Sequence, residues 1–143
     1  MLKGIWKGPG EDLGEAHGIR REVFVEEQKV DPSLEWDALD EKADHLLIYD
    51  GQEPIATGRM RKGKNGVYTF ERIAVRKPYR GQHIGEFLMK IMINEAFERG
   101  GLQGVVHAQV QAQGFYEKLG FSVEGECHIS AGIEHVYMIR SLV

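Results

Sequence analysis

The sequence predicts an α/β (α+β) fold: one domain, residues 1–143, on a mixed, mostly antiparallel sheet of about six to seven strands with about four flanking helices. Short apolar segments separated by turn signals recur along the chain, which is typical of a multi-stranded sheet. Only residues 67–110 have the order strand, long helix, strand, and that connection makes the two strands parallel neighbours. No internal repeat, low-complexity tract or linker divides the chain. We therefore expect one central parallel pair within an otherwise antiparallel sheet.

The first third of the chain predicts a strand, a helix and an irregular acidic stretch. Residues 2–7 predict a short edge strand, and residues 28–43, which include Pro32, predict a loop or short helix. Residues 11–27 fit a helix because apolar residues recur at helical spacing, namely Leu13, Ala16, Val23 and Phe24.

The rest of the chain predicts a three-stranded meander followed by alternating helices and strands. The meander strands are residues 45–49, 55–61 and 67–75, and Asp-Gly and Asn-Gly turn signals separate them. Two glycines end the longest helix, and a further glycine ends the short one. The elements after the meander are helix 84–99, strand 104–110, helix 111–119 and strands 121–127 and 134–142.

Composition and charge limit the class of protein. Of the 143 residues, 42% are apolar and 28% are charged, which is typical of a globular domain. No apolar run is long enough to span a membrane and the first residues do not resemble a signal peptide, so we expect a cytoplasmic protein without membrane contact. A net charge of −4 argues against a nucleic-acid partner. Because Cys127 is the single cysteine, we expect no disulfide and no cysteine-based zinc site. We also expect no bound metal of any other kind.

Charged residues are divided between two stretches of opposite sign. Residues 22–44 hold nine acids and two bases, whereas residues 59–80 hold eight bases and one acid, Glu71. This division favours two surfaces that contact ligands of opposite charge. The alternative is two ordinary solvated surfaces, and charge alone leaves both interpretations open.

The most informative segment is the turn at residues 73–85, which connects a buried strand to the longest helix. It carries Arg76, Lys77 and Arg80. A helix start exposes unpaired backbone N–H groups and a partial positive charge, which favour a phosphate. The segment contains neither a Gly-Lys-Ser/Thr P-loop nor a GxGxxG dinucleotide motif. The turn therefore predicts another kind of phosphate site, or a plain connection with solubilising bases.

Two motifs resemble those of GNAT acetyltransferases. The run Arg80-Gly81-Gln82-His83-Ile84-Gly85 resembles the family's Gln/Arg-x-x-Gly-x-Gly/Ala pyrophosphate loop, with a histidine at the central glycine. The run from Gly114 to Phe121 resembles the second signature, a short helix ending in Phe-Tyr-x-Lys-x-Gly-Phe. Further resemblance to the ElaA/YjcF-type branch lies in Arg20–Gln28, Ala108-Gln109, Gly132–His135 and Met138.

The resemblance implies that acetyl-CoA binds and that its acetyl group passes directly to a primary amine in a ternary complex. Strands 67–75 and 104–110 would part to admit the pantetheine arm, and the helix start would hold the pyrophosphate. If His83 needs a positive φ, a histidine there costs about 1 kcal/mol; otherwise its N–H alone matters. The positions that match the cosubstrate site are Ile73, Ala74, Val75, Arg80, Gly81, Gln82, His83, Ile84, Gly85 and Phe115.

The same resemblance assigns two catalytic residues. Tyr116 occupies the signature tyrosine and would protonate the departing thiolate, or would only pack beside the cofactor sulfur. Glu71 would act as a base through water, or would form a salt bridge to Arg72 or Arg59. Lesser candidates for the base are His107, His45 and His135. By strand parity, Glu71 shares a face with Thr69, Ile73 and Val75.

Three functions remain open at this point. The first is N-acetyl transfer, the second a CoA-binding sensor or inactive scaffold, and the third a generic phosphate or nucleotide binder. The resemblance implies that residues 19–44 form one wall of the acceptor site. The acids of that segment favour a cationic small-molecule or peptide amine, such as a polyamine, an aminoglycoside-like amine or a lysine-bearing peptide.

Overall fold

The computed structural model describes residues 1–143 and contains one seven-stranded sheet. Its strands are β1 (Leu2–Lys7), β2 (Asp44–Asp50), β3 (Glu53–Lys62), β4 (Val67–Val75), β5 (Gln103–Gln109), β6 (Ser122–Ser130) and β7 (Ile133–Ser141). Their order in the sheet is β1-β2-β3-β4-β5-β7-β6, and every neighbouring pair is antiparallel except β4 and β5. The predicted mixed sheet with one central parallel pair is confirmed.

The helical elements are α1 (Gly14–Arg20), a π-helical segment (Arg21–Glu27) that continues it, α2 (Pro32–Glu35), a 3-10 turn (Ala38–Lys42), α3 (Ile84–Glu98) and α4 (Gln113–Lys118). The helix expected at 11–27 begins at Gly14, whose N–H donates to Asp12 Oδ1 at 2.8 Å. Its second half is π-helical, which an apolar stripe alone does not distinguish from α-helix. No helix combines the length and apolar character needed to cross a membrane.

Two apolar clusters cover the two faces of the sheet. Leu46 and Ile48 of β2 pack in the larger cluster with Leu88 of α3. Leu47, between them in the sequence, packs in the smaller cluster with Ala16 of α1. Because successive strand residues point to opposite faces, α3 and α1 lie on opposite sides of the sheet.

A β-bulge in β4 changes the direction of its side chains. The register shifts so that two residues, Arg72 and Ile73, oppose one residue of β3, and Arg72 has a φ of 53°. After the bulge, Ile73 and Val75 pack against the α3 cluster, whereas Glu71 points to the other face and binds Arg59. The expected shared face of Glu71, Ile73 and Val75 is therefore wrong, because parity does not survive an inserted residue.

The parallel strands β4 and β5 pair only over their first halves. Their register runs from Val67 opposite Gln103 to Phe70 opposite Val106 and then stops. Both strands continue beyond that point, so this edge of β4 has no partner strand after Phe70. The two strands part as predicted and leave an opening through the sheet.

Candidate active site

The turn between β4 and α3 contains two residues with positive φ. Gly81 has a φ of 78°, and His83, the N-cap of α3, has φ 62° and ψ 21°. The central position of the loop motif therefore lies in the left-handed region, where histidine costs about 1 kcal/mol. The N–H of Phe87 donates to the His83 carbonyl at 3.0 Å as the helix begins. The N–H groups that precede it have no intrahelical partner and can bind an anion.

A groove of about 870 Å³ follows this turn between β4, α3 and α4. Nine of the ten residues expected to bind the cosubstrate line it: Ile73, Ala74, Val75, Arg80, Gly81, His83, Ile84, Gly85 and Phe115. Gln82 does not line it, and its Nε2 instead donates to the Pro78 carbonyl at 3.4 Å. Tyr79 and Ala112 also line the groove. Motif matching missed them because both lie just outside the two signatures.

Gly85 lets two helices approach closely beside this groove. A Cβ at this position would lie 3.3 Å from Cζ of Phe115 in α4 and 3.7 Å from Cγ2 of Val75. The first distance is shorter than ordinary van der Waals contact, so any side chain would displace the ring or block the groove. The glycine therefore keeps the first turn of α3 accessible to a ligand.

The two arginines of the turn are paired with acids of the first helix. Arg80 binds Glu27 through both terminal nitrogens, at 2.6 and 2.7 Å. Arg76 donates to Glu22 at 3.1 Å. These ion pairs attach the turn to the π-helical segment. The backbone N–H groups of α3, together with Lys77, are therefore the anion donors of the turn that carry no competing ion pair.

A second cavity, of about 420 Å³, lies at the opening between β4 and β5. It shares four lining residues with the groove, namely Gln28, Ile73, Ala112 and Tyr116. The groove and the cavity together form a path from the start of α3 through the sheet. Ligands that occupy the two spaces would meet at these four residues.

Tyr116 lies at this junction. Its ring makes edge-to-face contacts with Phe115 and Phe121, with centroids 5.0 and 5.9 Å apart, and the residue is 8% exposed. Burial raises the pKa of its phenol above the ordinary value. The hydroxyl is therefore protonated at neutral pH and able to donate its proton or a hydrogen bond.

Glu71 lines the second cavity, but two arginines engage its carboxylate. Oε2 accepts hydrogen bonds from Arg59 Nε at 2.7 Å and from Arg61 Nε at 2.5 Å. Burial opposes ionisation, but the two guanidinium groups outweigh it and lower the pKa of Glu71. The salt bridge to Arg59 that the sequence left open is thus present, while Arg72 lies 3.2 Å from Glu35.

Most acids of residues 22–44 are also paired. Six of the nine form salt bridges: Glu22, Glu27, Glu35, Asp37, Asp40 and Asp44. Four of their partners come from residues 59–80, namely Arg59, Arg72, Arg76 and Arg80. Only Glu35 of the nine lines the second cavity, and it binds Arg20. The two charged stretches therefore bind each other, while the acidic wall of the acceptor site stays a prediction.

Three histidines meet on the face of β5, β7 and β6. The His107 ring packs on His128, His135 and Tyr137, with centroids 4.5 to 4.7 Å away. The Nε2 atoms of His107 and His128 are 2.6 Å apart. His107 and His135 line the second cavity, whereas His45 is buried elsewhere. No group of three His, Cys, Asp or Glu side chains is arranged to hold a metal ion.

Sequence reasoning treated each histidine singly and missed His128. The residues become neighbours because β7 lies between β5 and β6, so that His107 pairs with Tyr137 and His128 with His135. A local pattern does not contain this non-sequential strand order. The available signal was only that His135 and Tyr137 share one face of a single predicted strand by alternation.

Comparisons with known proteins agree with this architecture. Residues 11–142 match the acetyltransferase (GNAT) domain family. The uncharacterized N-acetyltransferase YjcF of Bacillus subtilis is 38% identical over 140 residues, which cover 97% of this chain and 99% of YjcF. Crystal structures of Escherichia coli ElaA and of a Pseudomonas aeruginosa acyl-CoA N-acyltransferase have TM-scores of 0.88 and 0.85 at 25% and 29% identity. Each comparison covers 98% of this chain and 99% of the other. The chain therefore belongs to the GNAT acetyltransferase family, and its resemblance to the ElaA/YjcF-type branch is confirmed.

Proposed function

We propose that the protein transfers an acetyl group from acetyl-CoA to a primary amine by direct attack in a ternary complex. The observation that carries this proposal is the junction of the groove and the second cavity at Tyr116. Two separate spaces that meet at one proton donor suit a reaction between two bound substrates. The acyl-CoA N-acyltransferase activity named for the P. aeruginosa neighbour is consistent with this reaction class.

The groove supports the acetyl-CoA half of the proposal. The free N–H groups at the start of α3 suit the pyrophosphate. The β4 edge after Phe70, which lacks a partner strand, offers backbone groups that suit the amides of the pantetheine arm, in the manner of an added strand. The apolar side chains of Ile73, Val75 and Phe115 suit the rest of the arm. These contacts would present the thioester at the junction.

Tyr116 is the proposed acid for the departing thiolate. Its hydroxyl is protonated at neutral pH, and the ring is fixed by Phe115 and Phe121. The thiol of CoA and the phenol would share the same poorly hydrated junction, where burial raises both pKa values and keeps the transfer balanced. The proton passes from the phenol to sulfur as the carbon–sulfur bond breaks.

The proposed acceptor is a small amine whose body is apolar or uncharged. Phe24, Val30, Leu34 and Ile133 line the second cavity, together with amide and imidazole groups and with Arg72, which is paired with Glu35. Its two carboxylates, Glu35 and Glu71, are both bound to arginines. A cationic body would find no unpaired carboxylate in this cavity, so we favour an apolar or uncharged amine and keep the polyamine or lysine-bearing peptide as the alternative.

Two measurements on the purified protein test the proposal. Acetyl-CoA should raise the melting temperature, since a ligand of the native state stabilises it, and ATP at the same concentration should not. A panel of arylalkyl, alkyl and polycationic amines should then release free CoA thiol fastest with the apolar amines. Acetyl-CoA binding without thiol release for any amine would instead indicate a sensor or scaffold. Equal stabilisation by ATP would indicate a generic phosphate binder.

A further inference from the structure

The histidine cluster connects the second cavity to the edge of the sheet. His107 lies on the central strand β5 and lines the cavity, whereas His128 lies on β6, which is the last strand of the sheet. Their Nε2 atoms are 2.6 Å apart, close enough for a direct hydrogen bond between the rings. The pair therefore spans the distance from the cavity to the exposed edge strand.

The neighbours of the two rings assign their tautomers. His128 Nδ1 lies 3.5 Å from the Glu126 carbonyl, which can only accept; this long contact favours the tautomer with the hydrogen on Nδ1. His128 Nε2 then has a lone pair and accepts from His107 Nε2–H. The lone pair of His107 is thereby left on Nδ1. His135 Nδ1 donates to the Ile133 carbonyl at 2.7 Å, so it does not compete for the shared proton.

We propose that His107 is the base that removes the proton from the attacking amine and that His128 passes this proton toward solvent. The inference rests on the proposed function. As nitrogen bonds to the acetyl carbon, its N–H proton moves to His107 Nδ1, and the proton on His107 Nε2 moves to His128 Nε2. The proton on His128 Nδ1 then leaves to water, and Tyr116 protonates the sulfur separately. Each imidazole ends neutral with its hydrogen on the other nitrogen, and exchange with solvent restores the starting tautomers. Water returns one proton to the Tyr116 phenolate, so the net change is one amine N–H lost and one thiol S–H gained.

The groups that face His107 favour this role over one for Glu71. Glu71 and Arg72 face it from β4, His135 and Tyr137 from β7, and His128 from β6. Burial, followed by His135 and His128, lowers the pKa of His107 to about 4. Its lone pair is thus free at neutral pH but weakly basic, so His107 can take the amine proton only as it passes its own proton to His128. The nearby Glu71 carboxylate is instead held by Arg59 and Arg61.

The experiment compares His107→Gln, His128→Gln and Glu71→Gln with wild type at saturating acetyl-CoA and the fastest amine of the panel. We expect His107→Gln to lower kcat roughly 10²-fold, with partial rescue by added imidazole. His128→Gln keeps an acceptor for His107 but cannot relay a proton, so roughly a tenfold loss is expected. Glu71→Gln should cost only about threefold. The control His17→Gln, at a half-buried histidine of α1 that bonds Asp40 and lines neither the groove nor the second cavity, should retain wild-type kcat.

A second readout does not depend on turnover. Nitrogen-15 NMR of histidine-labelled protein should show His107 with its hydrogen on Nε2 and an unprotonated Nδ1 at pH 7. A hydrogen on Nδ1 would overturn the relay, as would a kcat of His107→Gln within about threefold of wild type. Absence of thiol release by wild-type protein would overturn the proposed function itself, a result distinct from either of these.

Discussion

One face of the sheet carries two regions that use polar side chains in opposite ways. Over β3 and β4, beneath α1, Arg20 and Arg59 are each 1% exposed and each bind more than one carboxylate. Over β5, β7 and β6, the same face holds three imidazoles and the phenol of Tyr137, without a salt bridge among them. The first region is charged and paired, whereas the second is stacked and open to a cavity.

This difference separates side chains that hold the fold from side chains that can exchange a proton. A buried carboxylate between two guanidinium groups resists protonation: Asp40 is opposed by burial, but Arg20 and Arg59 outweigh it and lower its pKa to about 2. An imidazole or phenol beside a cavity has no such ion pair to break. On the proposed mechanism, the clustered charges of this chain stabilise the fold and the groups beside the cavity transfer the protons.

The largest expected effect is on stability in the charged region. Arg59→Met leaves Asp37, Asp40 and Glu71 without a shared partner and should lower the free energy of unfolding by about 3–5 kcal/mol. Arg61→Met removes a half-exposed arginine from the same Glu71 and should cost less than about 1 kcal/mol. Urea unfolding of both variants measures the difference. If both variants lost the same free energy of unfolding, the burial of Arg59 would not be the reason that its ion pairs stabilise the fold.

The next effect concerns the groove. Gly85→Val places a branched side chain against Phe115 and should weaken acetyl-CoA binding roughly tenfold, about 1.4 kcal/mol. The control is Gly18→Ala in α1, because Gly18 does not line the groove and a Cβ there meets nothing within 4 Å. Isothermal titration calorimetry with acetyl-CoA provides the comparison. Unchanged affinity in Gly85→Val would contradict the placement of the pyrophosphate at the start of α3.

A smaller effect is the pH dependence of stability. Burial lowers the pKa of His45 in the folded protein, so the unfolded chain takes up the proton first. Stability should therefore fall as the pH drops below the unfolded value of about 6.5, by up to about 1.4 kcal/mol per pH unit from this residue. His45→Gln should flatten the slope of unfolding free energy between roughly pH 6.5 and pH 5. An unchanged slope would show that His45 is not protonated on unfolding.

The smallest expected effect is the salt dependence of kcat/KM, which distinguishes acids held in salt bridges from an acidic surface that attracts a cationic substrate. Since six acids of residues 22–44 are in salt bridges, kcat/KM for a diamine should change less than about twofold between roughly 50 and 500 mM salt. A monoamine of the same size is the matched control. A steep fall of kcat/KM with salt for the diamine alone would support an acidic wall at the acceptor site and a cationic acceptor.

The fold could be predicted largely from local patterns. Each strand follows from alternation and turn signals, and the parallel pair follows from one strand–helix–strand unit. Irregularities in strand pairing could not be predicted in this way. A bulge at Arg72 and Ile73 puts Ile73 on the face of the sheet opposite to Glu71, whereas alternation had predicted the same face. Bulges depend on strand register, which a single strand's sequence does not contain.

The site was predictable where a motif is contiguous and not where it is assembled across strands. The turn from Arg80 to Gly85 lies in one segment, and five of its six residues line the groove. The charge stretches are separated in sequence, so nothing local indicated that they bind each other. The same holds for His107 and His128, which β7 brings together from 21 residues apart.

The most direct test of the account is the turnover of Tyr116→Phe, because Tyr116 lines both the groove and the second cavity. The substitution keeps the aromatic contacts with Phe115 and Phe121 and removes only the hydroxyl. We predict that kcat falls roughly 10²-fold while the Kd for acetyl-CoA stays within about twofold. A kcat within a few-fold of wild type would contradict the account, since the junction would then hold a packing residue and not the proton donor.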